Sequence, residues 1–318
     1  MQNAAPKVLI LGYGEMGHAL QHLLEARHPL VIWDRTPRDG STSIDPLSLV
    51  SDCDVVFFCL PAQPHLDLTT RLLPALSRRT LCLSIAKGLD DEGRTPADVF
   101  SRILGTNVPY GVLYGPMISE EMRAGRPCFA EVSASDDAAL HKTVDLFRAS
   151  ALHLEATTDR IGTSWSAILK NVYAILFGVA DELQLGDNMR GHLAVATLAE
   201  ISAIVQGFGG LATTPYRWAG LGDLITTATS AASHHHELGR WLVRGRRDAL
   251  RGEGIHTLQI LRSLALVAIN NYPLLTLIDD CVGDPDNVRN KMQDYLDHLG
   301  ETASASAARV STDRTKMT

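Results

Sequence analysis

The stretch LILGYGEMGHALQHLL, residues 9–24, decides the fold. A short apolar run breaks on Gly12, Gly14 and Gly17, spaced G-x-G-x-x-G, and a helical segment follows over Gly17–Arg27. Directly after a strand and before a helix, this spacing has a physical reading. The first glycine permits the tight turn, the second lets a pyrophosphate approach the backbone, and the third packs helix on sheet. The phosphate then lies on a helix N-terminus, where unpaired N–H groups and the helix dipole favour an anion.

Working outward, apolar runs more unbroken than alternating recur at 7–12, 29–34, 54–60, 80–86, 110–115 and 128–134, and a last strand-like piece at 151–157 closes this half. They read as strands covered on both faces, as in a parallel sheet. His65–Leu76 and Asp137–Ala149 read as helices between them, and such alternation predicts an α/β fold, a Rossmann-type doubly wound parallel sheet. From about Asp159 the segments 160–185, 190–208 and 255–270 carry helical periodicity with no strand pattern. The expected division is a dinucleotide-binding domain over 1–157, an all-helical domain over 158–300, and a small, polar, disordered tail over 301–318.

Composition narrows the class. The chain has 318 residues, 45% hydrophobic and 20% charged, with a formal net charge of −7. That balance and the lack of a basic run argue against a nucleic-acid partner. Cys53, Cys59, Cys82, Cys128 and Cys281 are scattered without a C-x-x-C pair, which favours reduced thiols in a cytoplasm. The first residues lack the pattern of a signal peptide, and no apolar run approaches the roughly 20 residues that cross a bilayer.

Asp34 stands at the end of the second strand, about 20 residues beyond Gly12, where an acid accepts the adenosine ribose hydroxyls and favours NAD. Arg35 and Arg38 offer the opposite contact, to the 2′-phosphate of NADP. Lys87 follows the fourth strand, at the edge of the sheet that faces the ligand crevice.

The second half holds an oddity in AILKNVYAILFGVA, residues 167–180. Its apolar residues cover every face of a helix, so it should be buried, yet it carries Lys170 and Asn171. A buried ammonium is costly unless it is paired or gives up its proton. Two further features are Asp223, set among small residues ahead of a polar small-residue loop, and Glu253-Gly254, placed on a loop. The run HHH at 234–236 does not suit a metal, because adjacent histidines rarely share one tetrahedral ion.

The order of these motifs resembles NAD(P)-dependent glycerol-3-phosphate dehydrogenase from about residue 7 to 260. The carriers are G-x-G-x-x-G, A-K-G at 86–88, G-P at 115–116 with E-x-x-x-G-x-P at 121–127, K-N-V-x-A-I at 170–175, G-D-N at 186–188, G-L-G-D-L at 220–224 and E-G at 253–254. The resemblance implies that Lys170 exchanges the proton, with Lys87, Asp223 and Asn171 around it. It implies a substrate site at Lys87, Gly115, Ser233, His234 and His235. Cofactor contacts fall on Gly12, Gly14, Glu15, Met16 and Gly17, and also on Asp34, Arg35, Lys87, Ser119 and Glu253. NAD is the expected cofactor, with NADP left open, and the expected partner is a small phosphorylated substrate, with a homodimer left open.

The chain also departs from that family. Its S-R-N triplet, whose arginine supports substrate phosphate and cofactor, is Ser233-His234-His235 here. Met117 replaces a small hydroxyl residue, and Thr36–Asp52 is short. The changes fall on substrate recognition. A β-hydroxyacid dehydrogenase and a catalytically weakened dinucleotide-binding sensor are the alternatives. With His234 where the arginine is expected, phosphate binding should be weak and should tighten as falling pH charges that imidazole.

Overall fold

A computed structural model describes residues 5–37, 40–230 and 233–301. Arg38 and the expected tail beyond residue 301 lie outside the described residues. The first half runs β1 (Val8–Leu11), α1 (Glu15–Leu24), β2 (Leu30–Trp33), α2 (Pro46–Val50), β3 (Val55–Phe58), α3 (His65–Leu72) and β4 (Leu81–Ser84). It continues with α4 (Pro96–Leu104), β5 (Tyr110–Tyr114), α5 (Ser119–Arg123), β6 (Cys128–Ala134), α6 (Asp137–Leu146) and β7 (Leu152–Ala156). Every residue of β1, β3, β4 and β5 is buried, which is why these strands read as unbroken apolar runs.

The strands form one sheet in the order β2-β1-β3-β4-β5-β6-β7. Pairing is parallel except between β5 and β6. The expected doubly wound sheet therefore carries one reversal. A parallel return needs a long crossover, normally built on a helix. The link from β5 to β6 holds only the five-residue α5, and β6 comes back antiparallel. With every strand there still parallel, the order switches sides at β1, which sits between β2 and β3. The strand ends there open a crevice.

The second half follows as α7 (Arg160–Glu182), α8 (Gly186–Gly207), a π-helical turn Trp218–Gly222, α9 (Asp223–Thr229), α10 (His234–Val243), α11 (Glu253–Ser263) and α12 (Pro273–Gly283). Residues 288–301 are also helical. Every residue of α7 from Gly162 to Ala180 is buried, as the all-apolar pattern required. Helix α10 lies against it almost backbone to backbone. A Cβ on Gly178 would sit 1.8 Å from the His236 carbonyl oxygen, and one on Gly239 would sit 2.0 Å from that of Ile175.

Three expectations are corrected. The segment after Asp223 is helical rather than a loop: Thr226, Thr227 and Thr229 hydroxyls each donate to the carbonyl four residues back. Glu253 opens α11, since Gly252 at φ +128° makes the turn and an acid in a helix's first turn complements the dipole. The helix expected over 255–270 ends at Ser263, and Ala265 beyond it takes a left-handed φ of +50°.

One polar latch joins the halves. Glu131, fully buried on β6, accepts Arg217 Nε at 2.7 Å and the Ala219 N–H at 2.8 Å. Arg217 also reaches Glu155 on β7 at 2.6 Å. The latch anchors the π-helical turn that leads into Asp223. No helix among the described residues is long and apolar enough to cross a membrane.

Candidate active site

The crevice between the strand ends and α7 is a cleft of about 440 Å³. Gly14, Glu15, Met16, Lys87, Met117, Lys170, Asn171, Asp223, Thr227, Ser233, His234, His235 and Glu253 all line it. Residues from seven separate stretches of chain thus meet where the sequence placed both cofactor and substrate.

At the cofactor end, Gly12 has φ +101°, and a Cβ there would fall 2.5 Å from the Cys59 carbonyl oxygen. On Gly17 a Cβ would fall 2.2 Å from the Gly12 oxygen, so both glycines are needed for the turn itself. Gly14, by contrast, has nothing within 4 Å of where a Cβ would be. Its backbone faces open space at the N-terminus of α1. That open cradle with its unpaired first-turn N–H groups fits a dinucleotide pyrophosphate. Asp34 accepts the Tyr13 N–H at 2.7 Å and the Thr36 N–H at 2.9 Å, which fixes its carboxylate beside the glycine turn. Arg35 is exposed next to it. Glu15 pairs with Arg123 at 2.7 Å and meets the Ser119 hydroxyl at 3.5 Å, tying α1 to α5.

At the other end, two lysines share one acid. Asp223 Oδ1 is 3.1 Å from Lys170 Nζ, and Asp223 Oδ2 is 2.7 Å from Lys87 Nζ. Lys170 is only 4% exposed and Asp223 3%. Lys170 also donates to Thr227 Oγ1 at 2.6 Å, and Lys87 to the Gly115 carbonyl at 3.1 Å. Burial lowers the Lys170 pKa to about 8; the Asp223 carboxylate opposes that shift and the Lys87 charge adds to it. Burial likewise raises the Glu253 pKa, against the pull of both lysines. An ammonium titrating near neutrality, with one N–H direction left by its two partners, can give or take a proton at the cleft.

Asn171 spends its amide N–H on the Lys87 carbonyl at 3.3 Å, so it ties α7 to the loop after β4. Gly115 enters the site through that backbone carbonyl. The three adjacent histidines diverge. His234 is exposed, with Nε2 2.8 Å from the Arg251 carbonyl. His236 is buried, with Nε2 2.7 Å from Asp181. His235 faces the cleft, and its pKa is lowered to about 3 by burial, then by Lys170, His234 and Lys87. His235 is thereby held in its neutral form. Ser233 caps α10, its hydroxyl accepting the His236 N–H at 3.3 Å. Among the described residues, no group of three or more His, Cys, Asp or Glu side chains is set to hold a metal ion.

Sequence reasoning passed over several supports. Thr227 follows Asp223 by one helical turn, and reading 223–229 as a helix would have shown both on one face. His65 is fully buried, bridging the Pro61 carbonyl at 2.9 Å and Ser84 Oγ at 2.8 Å beneath the Lys87 loop. Tyr114 donates to the Ala86 carbonyl at 2.9 Å in the same loop. A lone glutamate inside the apolar strand CFAEVSA was the visible sign of the Glu131 latch.

A glycine-turn crevice at the strand ends, facing a buried lysine on a helical half, defines a dinucleotide-dependent dehydrogenase. A family model described as the NAD-dependent glycerol-3-phosphate dehydrogenase N-terminus matches residues 41–140, and one described as the C-terminus of the same family matches residues 159–293. The glycerol-3-phosphate dehydrogenase (NAD(P)+) of Synechocystis sp. is 32% identical over 270 residues, covering 82% of this chain and 83% of its own. That of Acaryochloris marina is 33% identical over 267 residues, covering 81% and 84%. The crystal structure of glycerol-3-phosphate dehydrogenase from Coxiella burnetii shares the fold at a TM-score of 0.80 and 22% identity, over 92% of this chain and 98% of that one. The chain belongs to the NAD-dependent glycerol-3-phosphate dehydrogenase family, and is an NAD(P)-dependent oxidoreductase acting on a CH–OH group.

Proposed function

We propose that this chain interconverts a small secondary alcohol and its ketone, of the glycerol 3-phosphate and dihydroxyacetone phosphate kind or a close analogue, with NAD(H) as the preferred cofactor. The bound nicotinamide supplies or accepts the hydride. In oxidation, neutral Lys170 takes the proton from the substrate hydroxyl as the hydride leaves carbon. In reduction, the Lys170 ammonium polarises the ketone oxygen and then donates its proton to it. Asp223 holds both ammoniums on the reacting side, and Asn171 fixes the Lys87 loop against α7. Gly14 and the first turn of α1 receive the pyrophosphate, and Asp34 the adenosine ribose. The boundary near residue 157 separates the half that holds the cofactor from the half that supplies the acid–base group. The scattered free thiols support a cytoplasmic setting.

The observation that carries this reading is the Lys170–Asp223–Lys87 bridge spanning the cleft beside the glycine turn. The test is NADH consumption over a panel of small ketones, with and without phosphate, using Lys170→Ala as the control. Turnover that survives in the folded variant would remove Lys170 from the chemistry and the reading with it.

A further inference from the structure

A second cavity, of about 970 Å³, lies at the edge of the sheet opposite the catalytic cleft. Arg78 and Arg79 line it from the turn before β4, Tyr110 from the first residue of β5, Lys142 from α6, and Arg160 from the first residue of α7. Strand β5 runs from Tyr110 towards Gly115, whose carbonyl accepts Lys87, so about 16 Å of strand separates the two sites. Helix α7 covers about 15 Å between Arg160 and Lys170. The cavity shares no lining residue with the cleft.

Its electrostatics are one-sided. Four cations line it, and Asp136 is the one acid that does. None of the four forms an ion pair with a carboxylate among the described residues. Asp136 is engaged in capping α6, where it accepts the Ala139 N–H at 2.8 Å and the Ser135 hydroxyl at 3.0 Å. Arg78 reaches the Asn107 amide oxygen at 3.5 Å, and the Arg160 guanidinium lies 5.5 Å from the centre of the Tyr110 ring. Half-buried Lys142 donates to two backbone carbonyls, those of Arg79 at 2.6 Å and Asp54 at 2.8 Å. Burial lowers its pKa, and the Asp54 charge opposes that shift. The whole chain carries a net charge of −7, so this cluster is not the overflow of a basic surface. Like charges gathered around one hollow repel each other, and an anion entering it relieves the repulsion.

We infer that this cavity is a binding site for a small molecule carrying two or more linked phosphates. A single phosphate dianion matches two of the four cations and fills little of the space. A chain of linked phosphates brings enough charge for all four and the length to meet side chains that stand on three separate elements. The guanidinium groups can each take two phosphate oxygens, and Lys142 has one N–H direction left beside its two carbonyls. Thr106 and Asn107 line the same cavity and offer a hydroxyl and an amide to whatever uncharged group bears the phosphates. The inference goes beyond the dehydrogenase reading and does not depend on which ketone the cleft accepts.

The experiment titrates inorganic tripolyphosphate, magnesium-free ATP and orthophosphate into the full chain by calorimetry, with NADH saturating so that the glycine turn is filled. Tripolyphosphate should bind at a single site, roughly tenfold or more tighter than orthophosphate, and should weaken as salt rises. Arg78→Ala and Arg79→Ala should each weaken it about tenfold, the worth of one charge-assisted hydrogen bond, and the double variant more than either. Both side chains are exposed and remote from the cleft, so kcat for NADH oxidation should match the parent's. Arg289→Ala removes an exposed cation from the last helix and should leave binding unchanged. ATP binding tighter than tripolyphosphate supports the site and identifies its ligand as a nucleoside polyphosphate; the reverse order supports it with a free phosphate chain. Absence of saturable tripolyphosphate binding overturns the proposal, as does orthophosphate binding equally well. Equal losses in Arg79→Ala and Arg289→Ala also overturn it, because attraction would then come from overall charge and not from this cavity.

Discussion

The two walls of the cleft are built on different plans. The sheet wall does its work with backbone: Gly12, Gly14 and Gly17 shape a turn within six consecutive residues, and its main polar groups are N–H groups at a helix end. The helical wall works with single side chains, Lys170, Asp223, His235 and Glu253, drawn from four different helices. A backbone site survives many sequence changes because the turn is specified locally. A side-chain site depends on how the helices pack, and one substitution changes its chemistry. The difference explains why the cofactor end keeps its motif while the substrate wall carries His234, His235 and Met117. It also means that variants on the two walls should fail in different ways.

The largest effect should come from the helical wall. Lys170→Met should cost roughly 10²–10⁴-fold in kcat, the usual worth of general acid–base help, and leave NADH affinity, read by fluorescence, unchanged. A parallel loss of NADH binding would show that the walls are not separable. The same variant has a stability signature. Because burial lowers the Lys170 pKa to about 8, the unfolded chain holds more protons than the native one between that pH and the ordinary lysine value of 10.5. Native stability should therefore rise with pH across this window, and the slope should diminish in Lys170→Met.

The next effect tests the joint. Glu131→Ala removes the carboxylate that holds Arg217 and the Ala219 N–H, leaving polar groups unpaired between the halves. Denaturant midpoints should report a loss of about 2–3 kcal/mol; this lies below the usual cost of breaking a buried ion pair because Arg217 is partly exposed and keeps Glu155. Activity should fall along with stability, since the latch sets the turn leading to Asp223. A variant as stable as the parent would mean that the latch adds nothing to the joint beyond the other contacts between the walls.

A smaller effect sharpens the coupling across the cleft. In the reductive direction the protonated form of Lys170 is the active one, so the rate should decline as pH rises through about 8. The Asp223 carboxylate opposes the lowering of that pKa. Asp223→Asn should therefore move the decline to lower pH by on the order of one unit. A shift to higher pH, or none, would show that Asp223 serves Lys87 alone.

The same contrast between walls governs what could be read from the sequence. All seven strands were legible; the interior ones, buried on both faces, leave unbroken apolar runs, as VVFF and LCLS do. The burial of α7 was legible from its all-round apolar pattern. The reversal at β6 was not, since strand direction depends on how the short link carrying α5 returns, and the strand pattern is the same either way. The helix Asp223–Thr229 was missed because threonine and serine have weak helix preference, and here hydroxyl bonds to the preceding turn come with the helix. At the site, Lys170, Lys87 and Asp223 could be picked out as misplaced charges. Thr227, His65 and Glu131 could not be assigned roles, because each takes its function from a residue distant in the chain.

The smallest effect belongs to the sheet wall. Asp34 is fixed by the Tyr13 and Thr36 N–H groups, so its charge is held in place beside the turn. A carboxylate there bonds the ribose hydroxyls of NAD and repels the 2′-phosphate of NADP. Arg35, exposed beside it, pulls the other way. The repulsion acts across water at the edge of the cleft, where screening keeps it modest. The unmodified protein should favour NADH over NADPH by about tenfold in kcat/KM, the worth of one charge-assisted bond weakened by solvent. Asp34→Asn retains an oxygen for the Tyr13 N–H and removes the charge, so it should shrink that preference several-fold, mainly by lowering KM for NADPH. Its kcat with saturating NADH should stay close to that of the parent, because Asp34 is remote from Lys170. A preference for NADPH in the unmodified protein would assign cofactor choice to Arg35. A fall in kcat with saturating NADH would break the separation of the walls from the opposite side, since a residue that only holds the cofactor would then govern the chemical step.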